Sequence, residues 1–339
     1  MTKINFLKTA CVLCLMALFS LSINAQNRTM IGDVDGSTEV DINDVTVLIN
    51  YVLSGNDAGI DLAAADIAID GSVDINDVTA LINYVLTGEM PYTLPEPIEF
   101  TVSGVTFQMQ LVEGGTYPMG ALEGTPHVRP WELPAHEVTL SSYYIGVTEV
   151  TQELWRAVMG TSSSNFPCWF TSSNGYGTNY KRPAENVTFA QCQSFITKLN
   201  QKTGKTFRML TEAEWEYAAR GGVISRGYMF PGSDDVDEVA WHAANSGDMT
   251  HPVGEKLPNE LGLYDMGGNV EEWCSDWYGL YTEAAQTNPT GASSGTARVV
   301  RGASWNQAWY SCRPTARYDG GYPTYAHPRR GLRIAMSVQ

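Results

Sequence analysis

Residues 40–55, VDINDVTVLINYVLSG, and residues 73–88, VDINDVTALINYVLTG, differ only at Val47/Ala80 and Ser54/Thr87. Near-identity at an offset of 33 residues marks an internal duplication, so this part of the chain folds as two copies of one small unit. Val45, Leu48, Ile49 and Val52 in the first copy, and Val78, Leu81, Ile82 and Val85 in the second, recur at i, i+3, i+4, i+7. That spacing predicts a short amphipathic helix in each copy, closed by Gly55 or Gly88, with the two apolar stripes burying each other.

Oxygen-bearing side chains precede each helix: Asp33, Asp35, Ser37, Glu39, Asp41 and Asp44, then Asp66, Asp70, Ser72, Asp74 and Asp77. Positions 1, 3, 5, 7, 9 and 12 of a loop are the spacing that a hard cation with several oxygen ligands needs, and calcium is the natural candidate. The module resembles a type I dockerin, the paired loop-helix domain that binds cohesin modules on bacterial surface complexes. The first copy departs from that pattern with Ser37 at position 5 and Thr38 at the usual glycine, and the second with Ala68 at position 3, which implies weaker calcium binding. The alternative is that calcium only folds the module and no cohesin-like partner exists.

The charge balance agrees with cation binding. The chain has 37 Asp+Glu against 21 Lys+Arg, a net charge of −16, and no Lys or Arg between Arg28 and Arg129. Phosphate binding needs clustered basic residues, so a nucleic-acid partner is not expected. Lys3 and Lys8, an apolar stretch from Ala10 to Ile23 and a small-residue stop at Ala25 read as a secretory signal peptide over residues 1–25. The apolar run is short for a bilayer span and no second one follows, so no transmembrane segment is expected in the mature chain. The destination is extracellular, cell-surface or periplasmic, in a bacterium. Export leaves Cys168, Cys192, Cys274 and Cys312 where disulfides form, with three full pairings open. The five histidines form none of the HxH, HExxH or HxxxH groupings of a histidine-built metal site.

The duplicated module spans about 28–90, and Pro91, Pro95 and Pro97 mark a linker over 91–99. Beyond it, in residues 100–339, Gly, Trp and Tyr become frequent and regular periodicity fades. Helices are expected at 149–160, 188–200 and 211–220, the last with a Thr211/Glu214 capping box and Trp215, Ala218 and Ala219 on one face. The remainder reads as short strands and long loops held by aromatic anchors and buried polar clusters.

VEGGTYPMG (112–120), GVTEVTQELW (146–155), FRMLTEAEWEYAAR (207–220), NELGLYDMGGNVEEWCSDWY (259–278), RVVRGASW (298–305) and GLRIA (331–335) occur in this order. Together they resemble the formylglycine-generating enzyme or sulfatase-modifying factor family over nearly all of residues 105–337. The resemblance implies an α+β fold of the irregular, C-type-lectin-like kind with few regular elements, beside the small all-α calcium loop-helix domain. It also implies a calcium site in which Asp265 and Glu272 supply carboxylates and Gly268 and Val270 supply backbone carbonyls. The plainer reading of Asp265 and Glu272 is turn capping or pairing with arginines.

The family's oxidases use two cysteines, five apart, to bind copper and convert a substrate cysteine to formylglycine. Here the motif is Gly302-Ala303-Ser304-Trp305, the first cysteine position is Gln307 and the second matches Cys312. An amide is a poor Cu(I) ligand, so copper is not expected, and Ser304 and Cys312 are the vestige of a catalytic site. Cys312 reads more simply as a buried thiol or half a disulfide. A branch of the family that uses nonheme iron needs histidine ligands, and the chain offers no pair for it. Whether the domain is an enzyme stays open, with a divergent formylglycine-generating oxidase or another enzyme of the family as the alternative role.

From Ala303 to Arg330 a frame of Trp305, Cys312-Arg313-Pro314, Arg317 and Pro323 is interleaved with small, amide and aromatic residues reachable from AAC or AAT codons by replacing adenines. The interleaved set comprises Asn306, Ala308, Tyr310, Ser311, Ala316, Tyr318, Asp319, Gly320, Gly321, Tyr322, Thr324, Tyr325, Ala326 and His327. This resembles the variable region of diversity-generating retroelement target proteins. A surface rich in Tyr, Ser, Gly and Asn suits adaptable recognition. Asn306, Tyr310, Tyr318, Asp319, Tyr322, Tyr325 and His327 are the expected contacts for an unknown protein or small-molecule ligand. An ordinary polar loop before the last strand is the alternative.

Overall fold

The computed structural model describes residues 31–37, 39–68, 72–88, 94–162, 164–165, 180–318 and 320–338. The predicted leader, Cys168, Asp70 and Asp319 lie outside the described residues.

The duplicated module forms helices α1 (Ile42–Ser54) and α3 (Ile75–Thr87), with the short α2 (Leu62–Ala65) between them. Each long helix starts on a capping box. Asp41 or Asp74 caps the first turn, while the N3 residue, Asp44 or Asp77, accepts a hydrogen bond from the N-cap backbone N–H. Each stops at the predicted glycine, Gly55 at φ 67° and Gly88 at φ 73°, left-handed conformations that cost a residue without Cβ nothing. Val45, Leu48, Val78 and Leu81 are buried in one core with Ile31, Val34 and Ile67. The apolar stripe is narrower than its periodicity suggests: Ile49, Val52 and Val85 are half-buried and Ile82 is exposed.

The large domain is built on an antiparallel five-stranded sheet in the order β1-β2-β5-β11-β6, from β1 (Ile98–Val102), β2 (Val105–Val112), β5 (Tyr143–Gly146), β6 (Phe207–Met209) and β11 (Ile334–Ser337). Strand β1 begins inside the stretch read as linker. Successive side chains of a strand face opposite ways, so Ile334 joins one core and Ala335 the other. Helices α4 (Gln152–Met159) and α5 (Phe189–Thr203) fill the first core, where Trp155 stacks on Phe195 at 4.9 Å. The second core holds α6 (Glu212–Ala219) and the sheet of β3 (Gly115–Met119), β4 (His136–Leu140) and β8 (Gln286–Thr287). Strand β7 (Glu271–Trp277), flanked by β9 (Arg298–Arg301) and β10 (Arg330–Gly331), joins the two.

The three expected helices are present with shifted ends. Thr151 caps α4, which leaves Glu149 outside the helix, and α5 runs three residues past its predicted end to Gly204. Helix α6 has the Thr211/Glu214 capping box but is buried on every side, Glu212, Glu214 and Glu216 included. Its amphipathic reading fails because each glutamate meets an arginine: Glu212 pairs with Arg317, Glu214 with Arg208, and Glu216 with Arg220 and Arg301. Cys192, Cys274 and Cys312 are buried free thiols, so none of the pairings open among these three has formed.

Candidate functional site

Strand β9 delivers the Gly302–Trp305 motif against the block that begins at Asp265. Gly302 has φ 97°, and a Cβ there would sit 3.1 Å from Trp215, so the close approach requires glycine. The Gly268 N–H donates to Gly302 O at 2.6 Å and the Trp305 N–H to Asn269 O at 2.9 Å, stitching the two blocks together. Ser304 Oγ lies 3.0 Å from both Asn306 Oδ1 and Gln307 Oε1. Gln307 Nε2 in turn donates to Glu271 Oε1 at 3.0 Å. Glu271 is buried and also pairs with Arg330 at 2.9 Å and Arg329 at 3.1 Å. The Gln307 amide is thus committed on both sides.

Cys312 takes no part in that network. It belongs to an apolar cluster with Phe230, Val239, Ala240 and Ala303, is fully buried, and burial pushes its thiol up to about 12. A thiol held protonated in this way is a weak nucleophile at neutral pH.

Two buried ion pairs fix the frame of the C-terminal segment. Arg313 grips Glu132 with both Nη atoms at 2.9 and 3.1 Å and donates further to the carbonyls of Tyr310 and His127. Arg317 grips Glu212 with two bonds of 2.8 Å, and its guanidinium lies 4.0 Å from the Tyr281 ring centroid. Tyr322 and Tyr325 project from this frame at 69% and 60% exposure, with Trp309 at 39% and Asn306 also exposed. Tyr310, Tyr318 and His327 are half-buried, and burial raises the Tyr318 phenol. Ser311, Ala316 and Gly321, three of the interleaved residues, are buried, so the face is smaller than the interleaved set suggests. A cleft of about 200 Å³ opens here, lined by His127, Arg129, Gln307, Tyr310, Ala316 and Tyr318. Nothing in the sequence set His127 and Arg129 apart, because they lie about 180 residues from the segment they touch.

Among the residues of the implied family calcium site, Glu272 is held by an arginine and a tryptophan. Both Glu272 oxygens accept from Arg333, and Oε2 also accepts from Trp215 Nε1 at 2.7 Å. The arginine-pairing alternative describes this residue. Asp265 Oδ2 accepts from the Gly254 N–H at 2.8 Å, its Oδ1 is buried without a hydrogen bond, and burial raises its carboxyl to about 6. The Val270 N–H and Asn269 Nδ2 donate to Glu149, a buried carboxylate that the sequence did not single out. Burial and the neighbouring Asp265 and Glu272 push the Glu149 carboxyl well above its usual range.

In the first loop of the small module, carboxylate oxygens of Asp33, Asp35 and Asp44 all lie within 4.8 Å of one another. Asp44 organises this loop: its Oδ1 accepts from the Asp35 N–H and its Oδ2 from the Asp41 N–H. Asp77 repeats both bonds with Ala68 and Asp74. Ser37 Oγ donates to the Glu39 carbonyl at 3.1 Å, while Glu39 itself is exposed. A converging, partly buried oxygen set fits a hard cation.

Residues 98–338 match the sulfatase-modifying factor enzyme 1-like domain family and residues 31–86 match the dockerin type I domain family. The chain is 30% identical over 284 residues to the chaperone protein LppX of Paenibacillus barcinonensis, covering 69% of this chain and 90% of that one. It is 30% identical over 256 residues to the serine/threonine-protein kinase pkn1 of Chlamydia pneumoniae, covering 68% of this chain but only 38% of the kinase. With the formylglycine-generating enzyme of Streptomyces coelicolor it shares 30% identity over 247 residues, 57% of this chain and 76% of the enzyme. Among solved structures, Treponema denticola variable protein 1 is 32% identical, with a TM-score of 0.63 over 72% of this chain and 100% of that chain. The large domain thus has the C-type-lectin-like fold, and the chain belongs to the sulfatase-modifying factor enzyme 1-like family, with a type I dockerin domain ahead of it.

Proposed function

We propose that this is an exported bacterial binding protein whose large domain holds a ligand on its C-terminal surface, and whose dockerin domain tethers it to a cohesin-like module. One observation carries the reading: Gln307, which the family resemblance aligns with the first copper cysteine, is hydrogen-bonded between Ser304 and Glu271. A neutral amide is a poor Cu(I) ligand and this one is already hydrogen-bonded to a buried carboxylate, while Cys312 sits in an apolar cluster. The exposed aromatic residues on an ion-paired frame support recognition, and the pattern of residue types over 303–330 supports diversification of that face.

Calcium serves the tether in this reading. The residues present in the first loop fit it, because Asp33, Asp35 and Asp44 converge. Bound calcium would neutralise these carboxylates and fix the loop against the helix start that Asp41 and Asp44 already cap.

The test is to incubate the purified chain with Cu(I), oxygen and a peptide carrying a sulfatase-type cysteine, then to probe for aldehyde. No aldehyde is expected. Aldehyde formation at the rate of an authentic oxidase control would overturn the binding role.

A further inference from the structure

We infer that the connection between β3 and β4 completes the binding face, with His127 and Arg129 forming a wall that accepts an aromatic carboxylate. This rests on the proposed binding role of the C-terminal surface and names the chemistry of what that surface takes.

The backbone of His127 is the first observation. It has φ 59°, a left-handed conformation uncommon for a residue with a Cβ, and such positions cluster at functional sites. Here its contacts come from the C-terminal segment. The His127 carbonyl accepts from Arg313 Nη2 at 2.9 Å. The imidazole stacks on Tyr310 at 4.8 Å with 15° between planes, and meets Trp309 edge-on at 5.1 Å and 85°. Trp309 and Tyr310 are themselves perpendicular at 5.7 Å. Three rings from two distant segments thus form one wall, and His127 and Trp309 are exposed on it.

Charge is the second observation. The backbone N–H of Arg129 donates to Glu132 Oε1 at 3.0 Å, so the residue is held in place while its side chain is exposed beside the cleft. No carboxylate among the described residues forms an ion pair with Arg129. The other charges on this cleft are spent: Glu132 on Arg313 and Arg317 on Glu212. Beyond Gln307, Glu271 faces two arginines, Arg329 and Arg330, which leaves a second positive excess. In a chain of net charge −16 such a patch is a local arrangement, and its complement is an anion.

The shape selects the anion. A guanidinium presents a planar fork that matches a carboxylate. The adjoining rings offer stacking surface to a flat group. A cleft of about 200 Å³ is small beside the roughly 300–1,000 Å³ of drug-sized sites, so it takes one ring with its carboxylate.

The probe is phenylacetate, titrated calorimetrically into the full chain, with phenylacetamide as the neutral counterpart. Phenylacetate is expected to bind at least tenfold more tightly than the amide. Arg129→Gln should remove that preference, and His127→Ala should weaken both ligands, with each variant's melting temperature checked against the parent. Equal binding of the two probes, no binding of either, or a preference that survives Arg129→Gln would overturn the inference. Those outcomes in a chain that forms no aldehyde would leave the binding role standing, whereas aldehyde formation would remove the role itself.

Discussion

Gln307 Nε2 donates to Glu271 Oε1 across 36 residues of sequence at 3.0 Å, and this bond ties the segment after β9 to the start of β7. Removing the amide leaves a buried carboxylate oxygen with Arg329 alone. Gln307→Ala is therefore expected to cost about 1–2 kcal/mol in denaturant unfolding of the large domain. Gln307→Cys should create no oxidase, because Cys312 stays among apolar side chains; the peptide aldehyde assay checks this.

The Glu132–Arg313 pair holds the loop carrying His127 to the C-terminal segment. Glu132→Ala strands a fully buried guanidinium and should destabilise the large domain by about 3–5 kcal/mol. The double change to Ala at both positions should cost less than the sum of the single changes, which a double-mutant cycle measures.

Asp276 supplies the pH dependence. Burial, then the charge of Glu212, raises its carboxyl to about 7, against about 3.9 in an unfolded chain. Between those values the fold retains a proton that the unfolded chain has lost, so this residue lowers stability as pH rises, and its full cost is reached above about 7. Asp276→Asn keeps an acceptor for the Glu212 N–H and removes the charge. Relative to the parent, the variant should gain on the order of 2 kcal/mol between pH 4 and pH 8, read from chemical denaturation at each pH.

Asp44 and Asp77 serve the helix caps and also accept backbone N–H groups of the loops ahead of them. Chelation of calcium from the full chain should lower helical circular dichroism, and added calcium should restore it. Asp44→Ala should cost about 1–2 kcal/mol even without calcium through loss of the capping box. Unchanged helicity through a calcium titration would contradict the calcium role.

The duplicated module was largely legible in the sequence because its signals are local: the stripe of Val45 and Leu48 and the closing glycines act within four residues, whereas Asp41 and Asp74, read as ion-loop oxygens, also proved to be helix caps. The Thr211/Glu214 box was legible for the same reason. The buried ion pairs were not. Glu132 and Arg313 are 181 residues apart, and Glu212 and Arg317 are 105 apart, so only the fold brings them together. An EAEWE run reads as a helix with a wet face until Arg208, Arg220, Arg301 and Arg317 are seen to surround it. The Gln307 substitution was visible, but its partner Glu271 was not, since adjacent Glu271 and Glu272 point to different arginines.

The central claim is that the C-terminal segment is a fixed, ion-paired frame carrying a variable binding face. The most direct measurement is deep sequencing of codons 303–330 across one growing population, with codons 259–300 as the internal control. The account predicts adenine-directed changes at Asn306, Tyr310, Tyr318, Tyr322, Tyr325 and His327, with Trp305, Arg313 and Arg317 constant. A segment as invariant as the control, or changes that fall equally on Arg313 and Arg317, would contradict it.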